Sequence, residues 1–386
     1  MNILPKQAEV VIVGGGVMGA STAYHLALKG CRDIVLLERA PFFGTGATGK
    51  CAGGIRYQFS TEINVRLSQL SLPMFARFEE ELGQPIDLRW CGYLFLLTNE
   101  QDISAFQPNV SMQNRLGVAT EWLDSEEIRS RVPSLRADDI LAGVYYGGDG
   151  LADPNSVVQG YINAARNLGV KAFTDMPVTD VELQSGKITR IVTPHGKISS
   201  PVLINAAGPW SALVSQMVGH SLPVIPVRRQ MLTTTPLLEI ENDFPFVIDF
   251  AQSLYFHLEG EGILTGMSNP AQEPGFDERV DEEWEAVHMD AAIKRLPPLG
   301  KVGRLNAWAG LYEVTPDAHP IIGPISEIDG YFVVTGFSGH GFMHGPGAGL
   351  LMSEMVLEGK ARSLDISALG WNRFSDKKLV DEYNVI

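Results

Sequence analysis

Gly14, Gly16 and Gly19 stand in the order G-x-G-x-x-G, between an apolar run and a helix-period pattern, and Glu38 closes the next apolar run. Four residues so placed can hold a pyrophosphate and a ribose. Gly14 turns the chain tightly, Gly16 lets main-chain amides approach an anion, and Gly19 lets the helix pack against the strand before it. A carboxylate at Glu38 accepts from ribose hydroxyls and repels a 2'-phosphate, which selects an adenosine dinucleotide without that phosphate. The motif alone does not separate NAD from FAD. Two further stretches of the same kind, "INAAGPW" (204–210) and "VVTGFSGHGF" (333–342), recur in the middle and near the end of the chain. A nicotinamide dehydrogenase would finish its nucleotide half soon after the first motif, whereas one long resident ligand touched three times explains this spacing and points to FAD. The amides of the third loop precede a helix expected near Gly347, a place suited to the anion that develops on a reduced flavin.

These loops need a scaffold of alternating strands and helices. Val10 to Val13 reads as a buried strand, with a helix after it carrying Ala23, Leu26, Ala27 and Gly30 on one period. Residues 40–59 are too polar for a core and too glycine-rich for a helix, so they form a loop against the ligand. A helix is expected from about Glu62 to Leu82, a strand at "GYLFLL", a capped short helix at "DSEEIRSRVP" stopped by Pro133, and an amphipathic helix at "DPNSVVQGYINAARNLG". Strands and tight turns then lead back to a buried strand, Val202 to Asn205. From Pro226 to Trp308 the pattern is an antiparallel insertion with a Gly260-Glu261-Gly262 turn and a long helix around Glu282 to Arg295, before a last strand, glycine loop and helix.

At 386 residues the chain holds two or three domains. A net charge of −15 without a basic run excludes a nucleic-acid or anionic-membrane partner. Cys31, Cys51 and Cys91 are too few and scattered for a disulfide framework or a zinc site, so no metal is expected and a reducing compartment is. With a first strand beginning by about residue 8 and no apolar stretch of roughly 18 residues, the expected location is cytoplasmic, without a cleaved signal or membrane span.

"VVIVGGGVMGAS", "INAAGPW", "TPDAHPIIG" and "GFSGHGF" together resemble the FAD-dependent D-amino-acid oxidase superfamily, and most closely sarcosine oxidases, their heterotetrameric β subunits, and dye-linked L-proline dehydrogenase β subunits. The resemblance implies an α/β fold: a discontinuous Rossmann-type FAD-binding domain (1–85, 150–225 and 315–386) with an inserted antiparallel-sheet substrate domain (86–149 and 226–314). It implies oxidation of an amine at the carbon beside a carboxylate, the substrate being a small sarcosine-, proline- or hydroxyproline-like amino acid. Cofactor contacts are implied in the first unit at Gly14, Gly16, Met18, Gly19, Glu38 and Arg39, and in the early glycine loop at Thr48 and Lys50. Further contacts fall at Val178, Gly208 and Trp210, and in the last loop at Gly339, His340, Gly341, Phe342 and Met343.

The resemblance places Arg56, in "GGIRYQF", where the substrate carboxylate is clamped; a guanidinium offers a bidentate fork and stays charged when buried. It turns Tyr255 and His257, which alternate along one strand and so share a face, towards the flavin, with Tyr312 facing them. Gly310 and roughly Pro154 stand where relatives carry the cysteine or histidine bonded to flavin, so the FAD is expected to be noncovalent. Leu264 and Met343 stand where oxidases hold a lysine, which favours a dehydrogenase with an electron acceptor or a heteromeric α subunit as partner. A glycine- or D-amino-acid-type oxidase acting on primary amines, and a flavin-bearing regulatory subunit, remain as other readings.

Overall fold

The computed structural model describes residues 4–375 and 379–385. Its centre is a six-stranded sheet ordered Ile321–Pro324, Tyr331–Thr335, Val202–Asn205, Val10–Val13, Ile34–Leu37 and Lys171–Phe173. All neighbours are parallel except the edge pair Ile321–Pro324 and Tyr331–Thr335. Parallel strands are covered on both faces and so read as unbroken apolar runs, as "VVIV" and "IVLL" do, with every residue buried. The helix Val17–Leu28 lies against this sheet and beneath the helix Gly341–Glu358. The glycine loops leave from the carboxyl ends of the strands, where ligands bind in open sheets of this type.

An eight-stranded sheet stands beside it, ordered Arg304–Val314, Ile225–Thr234, Gly262–Met267, Leu254–Glu259, Phe246–Asp249, Tyr93–Leu97, Ala142–Tyr146 and Glu121–Leu123. The expected antiparallel insertion is in fact a mixed sheet, because Phe246–Asp249 pairs in parallel with Tyr93–Leu97. Its registers decide what faces inward. Tyr312 pairs with Val227, Gly310 with Arg229, Trp308 with Met231, Met231 with Gly266, Gly266 with Tyr255 and Tyr255 with Ile248, so these side chains share one face. The opposite face carries Leu94, Val247, Leu254, Phe256 and Ile263, which pack with Ala292 and Leu296 at the end of the helix Glu282–Arg295. Arg295 fastens that helix through Asp249 Oδ2 at 2.8 Å and Asp139 at 2.7 Å.

Several expected elements differ in detail. The helix expected to run to Leu82 breaks at Arg77 into Glu62–Ala76 and Phe78–Leu82. Asp124 and Glu127 form the capping box of Ser125–Arg131. The last helix begins at Gly341, ahead of the expected Gly347, because Pro346 sits inside it without ending it. Glu100–Arg115, a polar helix broken in pattern by Pro108, had no clear sequence signal. No helix among the described residues is long and apolar enough to cross a membrane.

Candidate active site

A cavity of about 580 Å³ runs from the first glycine turn to the inner face of the eight-stranded sheet. At one end, Gly14 lies so close to the Val202–Asn205 strand exit that a Cβ would stand 2.2 Å from Ala206 O. Gly16 caps the helix Val17–Leu28 without any side-chain hydrogen bond, and its neighbour Val17 N donates to Thr48 Oγ1 at 3.2 Å. Gly14, Gly16, Met18 and Thr48 all line the cavity. Gly19 does not: a Cβ there would meet Gly14 O at 1.9 Å, so its part is to let helix and turn touch.

Glu38 lines the cavity while its Oε2 accepts from Gly15 N at 2.7 Å and its Oε1 from Ala40 N at 2.8 Å, so the carboxylate also ties the turn to the loop after it. Arg39, Val178, Gly208 and Trp210 complete this end, with Arg39 Cζ 3.5 Å over the Trp210 ring. Phe276 stacks on the same indole, its centroid 5.9 Å away. The loop carrying Phe276 also brings Glu278 to Lys50, 2.7 Å from Oε1 to Nζ, so the ammonium expected at a pyrophosphate is held by protein at the cavity's edge.

Gly339, His340, Gly341, Phe342 and Met343 line the middle, and the helix that starts at Gly341 also lacks a side-chain cap. Both nitrogens of His340 are engaged: Nε2 lies 2.9 Å from Ala318 O and Nδ1 lies 3.1 Å from His344 Nδ1. His344 Nε2 lies 2.9 Å from Ser68 Oγ, which bonds Arg56 O at 2.8 Å. Burial holds both imidazoles neutral, pushing His340 down to about 4 and His344 well below the usual histidine range. The two rings therefore position the loop and Arg56.

Arg56 is buried at the far end, its Cζ 4.0 Å from the Phe59 ring centroid. Its guanidinium donates to the carbonyls of Gln58 and Asn384 and pairs with no carboxylate among the described residues. Tyr93, Met231, Phe246, Ile248, Tyr255 and Tyr312 wall the space around it. Gly266 makes this wall possible, since a Cβ there would lie 2.2 Å from Tyr255 Oη. His257 shares the Tyr255 face, as expected, but does not reach the cavity: its ring packs 5.1 Å from Phe246, and burial lowers it to about 4. Leu264, its cross-strand partner, is likewise covered.

Four contributors had no motif to reveal them. Asn384 and Glu382 arrive from a distant segment, with Glu382 accepting from Ser60, Thr61 and Asn64 and Asn384 lining the cavity. Asp149, fully buried, accepts from Tyr57 N at 2.7 Å and Gln58 Nε2 at 2.8 Å, directly behind Arg56. Arg229 lines the cavity beside Tyr312.

Two sheets enclosing one long cavity, with two uncapped helix ends and a buried arginine along it, define a dinucleotide-dependent enzyme class. Residues 9–355 match the DAO family of FAD dependent oxidoreductases, and the chain belongs to that family. It is 32% identical over 388 residues to dimethylglycine dehydrogenase of Rattus norvegicus, covering 95% of this chain and 45% of that protein. The chain thus spans less than half the length of that curated relative. The structure superposes on L-proline dehydrogenase from P. horikoshii with a TM-score of 0.91 and 31% identity, covering 98% and 100% of the two chains. Glycine oxidase from Geobacillus kaustophilus gives a TM-score of 0.86 and 25% identity, covering 96% and 99%. The family's cofactor fits this cavity: the glycine cradle and first helix end suit a pyrophosphate, and the uncapped second helix end suits an electron-rich ring.

Burial pushes the Asp149 carboxyl up to about 7, against the opposing pull of Gln58, Tyr57 and the Arg56 charge. The unfolded chain releases that proton near pH 3.9, so the contribution to stability is complete below about pH 4 and is lost as pH rises to about 7. Asp149→Asn removes the titration. Thermal melts at pH 5 and pH 7.5 should differ less in the variant than in the native chain, by about 2.5 kcal/mol, since only the roughly two pH units from 5 to the folded value contribute at about 1.4 each; an unchanged difference rejects the assignment.

Proposed function

We propose that this chain oxidises a secondary amine or imino acid of the sarcosine or proline kind, with noncovalent FAD, and passes the electrons to a partner acceptor. The observation that carries the reading is Arg56: a buried guanidinium, facing the cavity, that meets only main-chain carbonyls. Such a group suits a carboxylate from outside, which offers both charge and a matching pair of acceptors. The likeness to a dimethylglycine and a proline dehydrogenase supports a substituted amine beside that carboxylate.

FAD supplies the hydride acceptor when bound. Arg56 fixes the carboxylate, and the His344–Ser68 contacts and Asp149 behind it fix Arg56. Tyr255, Tyr312, Met231 and Phe246 confine the carbon skeleton and exclude water, so that the α-carbon is oriented rather than activated by a strong base. Gly310, with Lys50 packed against it, offers no side chain for a covalent link, which supports reversible cofactor binding. The acceptor reading rests on Met343, which lines the cavity and carries no charge where oxidases of the resembled group hold lysine, and on Lys50, whose ammonium Glu278 already neutralises; Leu264, the other such position, is covered and lends no support. A heteromeric α subunit is the partner this reading favours.

Four outcomes test it. Reduced anaerobically by sarcosine, proline or their analogues, the flavin should recolour much faster with an artificial dye than with aerated buffer; air as fast as dye makes it an oxidase, and no bleaching by any amine makes it a non-catalytic flavin subunit. Release of ammonia rather than a methylamine or cyclic imine would assign it to primary amines. Acid precipitation should leave the yellow colour in the supernatant, and colour in the pellet would show a covalent bond. Arg56→Lys keeps the charge and loses the fork, so kcat/KM should fall by about 1.5 to 3 kcal/mol with FAD retained; native kinetics would remove Arg56 from the site.

A further inference from the structure

Two adjacent arginines on the Ile225–Thr234 strand are treated in opposite ways. Arg228, on the outer face, is fully partnered: it donates to Gln272 Oε1 at 2.9 Å and to Arg279 O at 2.9 Å, and pairs with Asp281 at 3.2 Å and Asp277 at 3.5 Å. Arg229, on the inner face opposite Gly310, lines the cavity. Its Nη1 donates to Arg228 O at 3.1 Å, its buried Nε has no hydrogen-bond partner, and no described carboxylate pairs with it. Its Cζ stands 5.1 Å from the centroid of the Tyr312 ring, and Tyr312 in turn feels the charge of Arg56.

A half-buried guanidinium with a buried, unpartnered Nε and no counter-ion carries a desolvation cost that the chain itself does not offset. Asp277 and Asp281 serve Arg228 instead, which leaves the inner charge directed at whatever enters the cavity. The cavity therefore offers two cationic forks, Arg56 and Arg229, with the Tyr312 ring as the surface common to both.

We infer that Arg229 binds a second acidic group of the substrate, so that the amine oxidised here is a dicarboxylic one, held by Arg56 at the carboxylate beside the reacting carbon and by Arg229 at the other. This rests on the amine-oxidising reading for the reaction, but not for the binding, because a cavity with two guanidinium groups grips an unreactive dianion equally well. A monocarboxylate fills one fork and leaves the other unpaired. A dicarboxylate compensates the buried Arg56 and the half-buried Arg229 at once, and each charge-assisted pair formed inside the cavity is stronger than at an open surface.

The test uses two thioethers that contain no oxidisable amine, thiodiacetate and methylthioacetate, titrated into the FAD-loaded protein and followed by the flavin spectrum and by calorimetry. The native protein should bind thiodiacetate roughly tenfold or more tightly than methylthioacetate, the effect of one charged hydrogen bond. Arg229→Gln should abolish that preference while leaving methylthioacetate binding nearly unchanged, and Arg56→Lys should weaken both. Because the Gln variant removes an uncompensated charge, its melting temperature and FAD content should hold. Equal affinities in the native protein overturn the inference without any variant, as does a preference that survives Arg229→Gln. Failure of every amine to bleach the flavin, with the dianion preference intact, would defeat the proposed reaction and leave the second anion site standing.

Discussion

A positive charge kept out of water is the condition around which the far end of this molecule is built. Arg56 cannot be neutralised by losing its proton, so every contact about it must either accept a hydrogen bond or tolerate the charge. Gln58 and Asn384 supply carbonyls, Phe59 supplies a ring face, and Ser68 fixes the main chain from behind. The histidine pair stays neutral beside it, and Asp149 sits close enough to be pulled towards ionisation although burial opposes this. None of these groups supplies a full ion pair, which keeps the guanidinium available to a carboxylate from the cavity.

The two sheets divide the work that this charge requires. The parallel sheet ends in loops and helix amino termini, which favour negative or electron-rich groups, and it presents the same chemistry at each of its glycine turns. The mixed sheet offers a largely apolar wall whose polar groups at the cavity include tyrosine hydroxyls and the Arg229 fork. Placing one against the other yields a space that is anion-seeking at both ends and greasy between them. Glu313, the acid at the seam, is consumed structurally: Thr335 Oγ1 donates to it at 2.8 Å, and burial pushes its carboxyl up.

Sequence reading reached the parallel sheet and its cradle because periodicity and glycine spacing are local properties. The strand Val10–Val13, the helix Val17–Leu28 and the last glycine loop each carry their own signal within a dozen or so residues. The family resemblance, borne out by the match over 9–355, located Arg56 and Tyr312, and both line the cavity. What local pattern could not supply was depth along a face. Tyr255 and His257 alternate identically, yet only the former reaches the cavity, since Phe246 and the glycine loop cover the latter. Arg228 and Arg229 are indistinguishable as letters and opposite in environment because strand parity sends one outward. Asp149, Glu382 and Asn384 depend on contacts hundreds of positions apart or on a buried turn, and no window of sequence contains both partners.

Glu382 meets Ser60 across 322 positions, and Asn384 meets Arg56 across 328. Loop closure over such distances is slow relative to the formation of a helix or a glycine turn, and on a ribosome the early partner waits for the late one. The cofactor cradle at residues 10–38 waits as well, since Gly14 tucks against Ala206, the first strand pairs with Val202–Asn205 and the helix Gly341–Glu358 packs over Val17–Leu28. A partly made chain therefore has neither grip, and both sites close only when its last stretch docks.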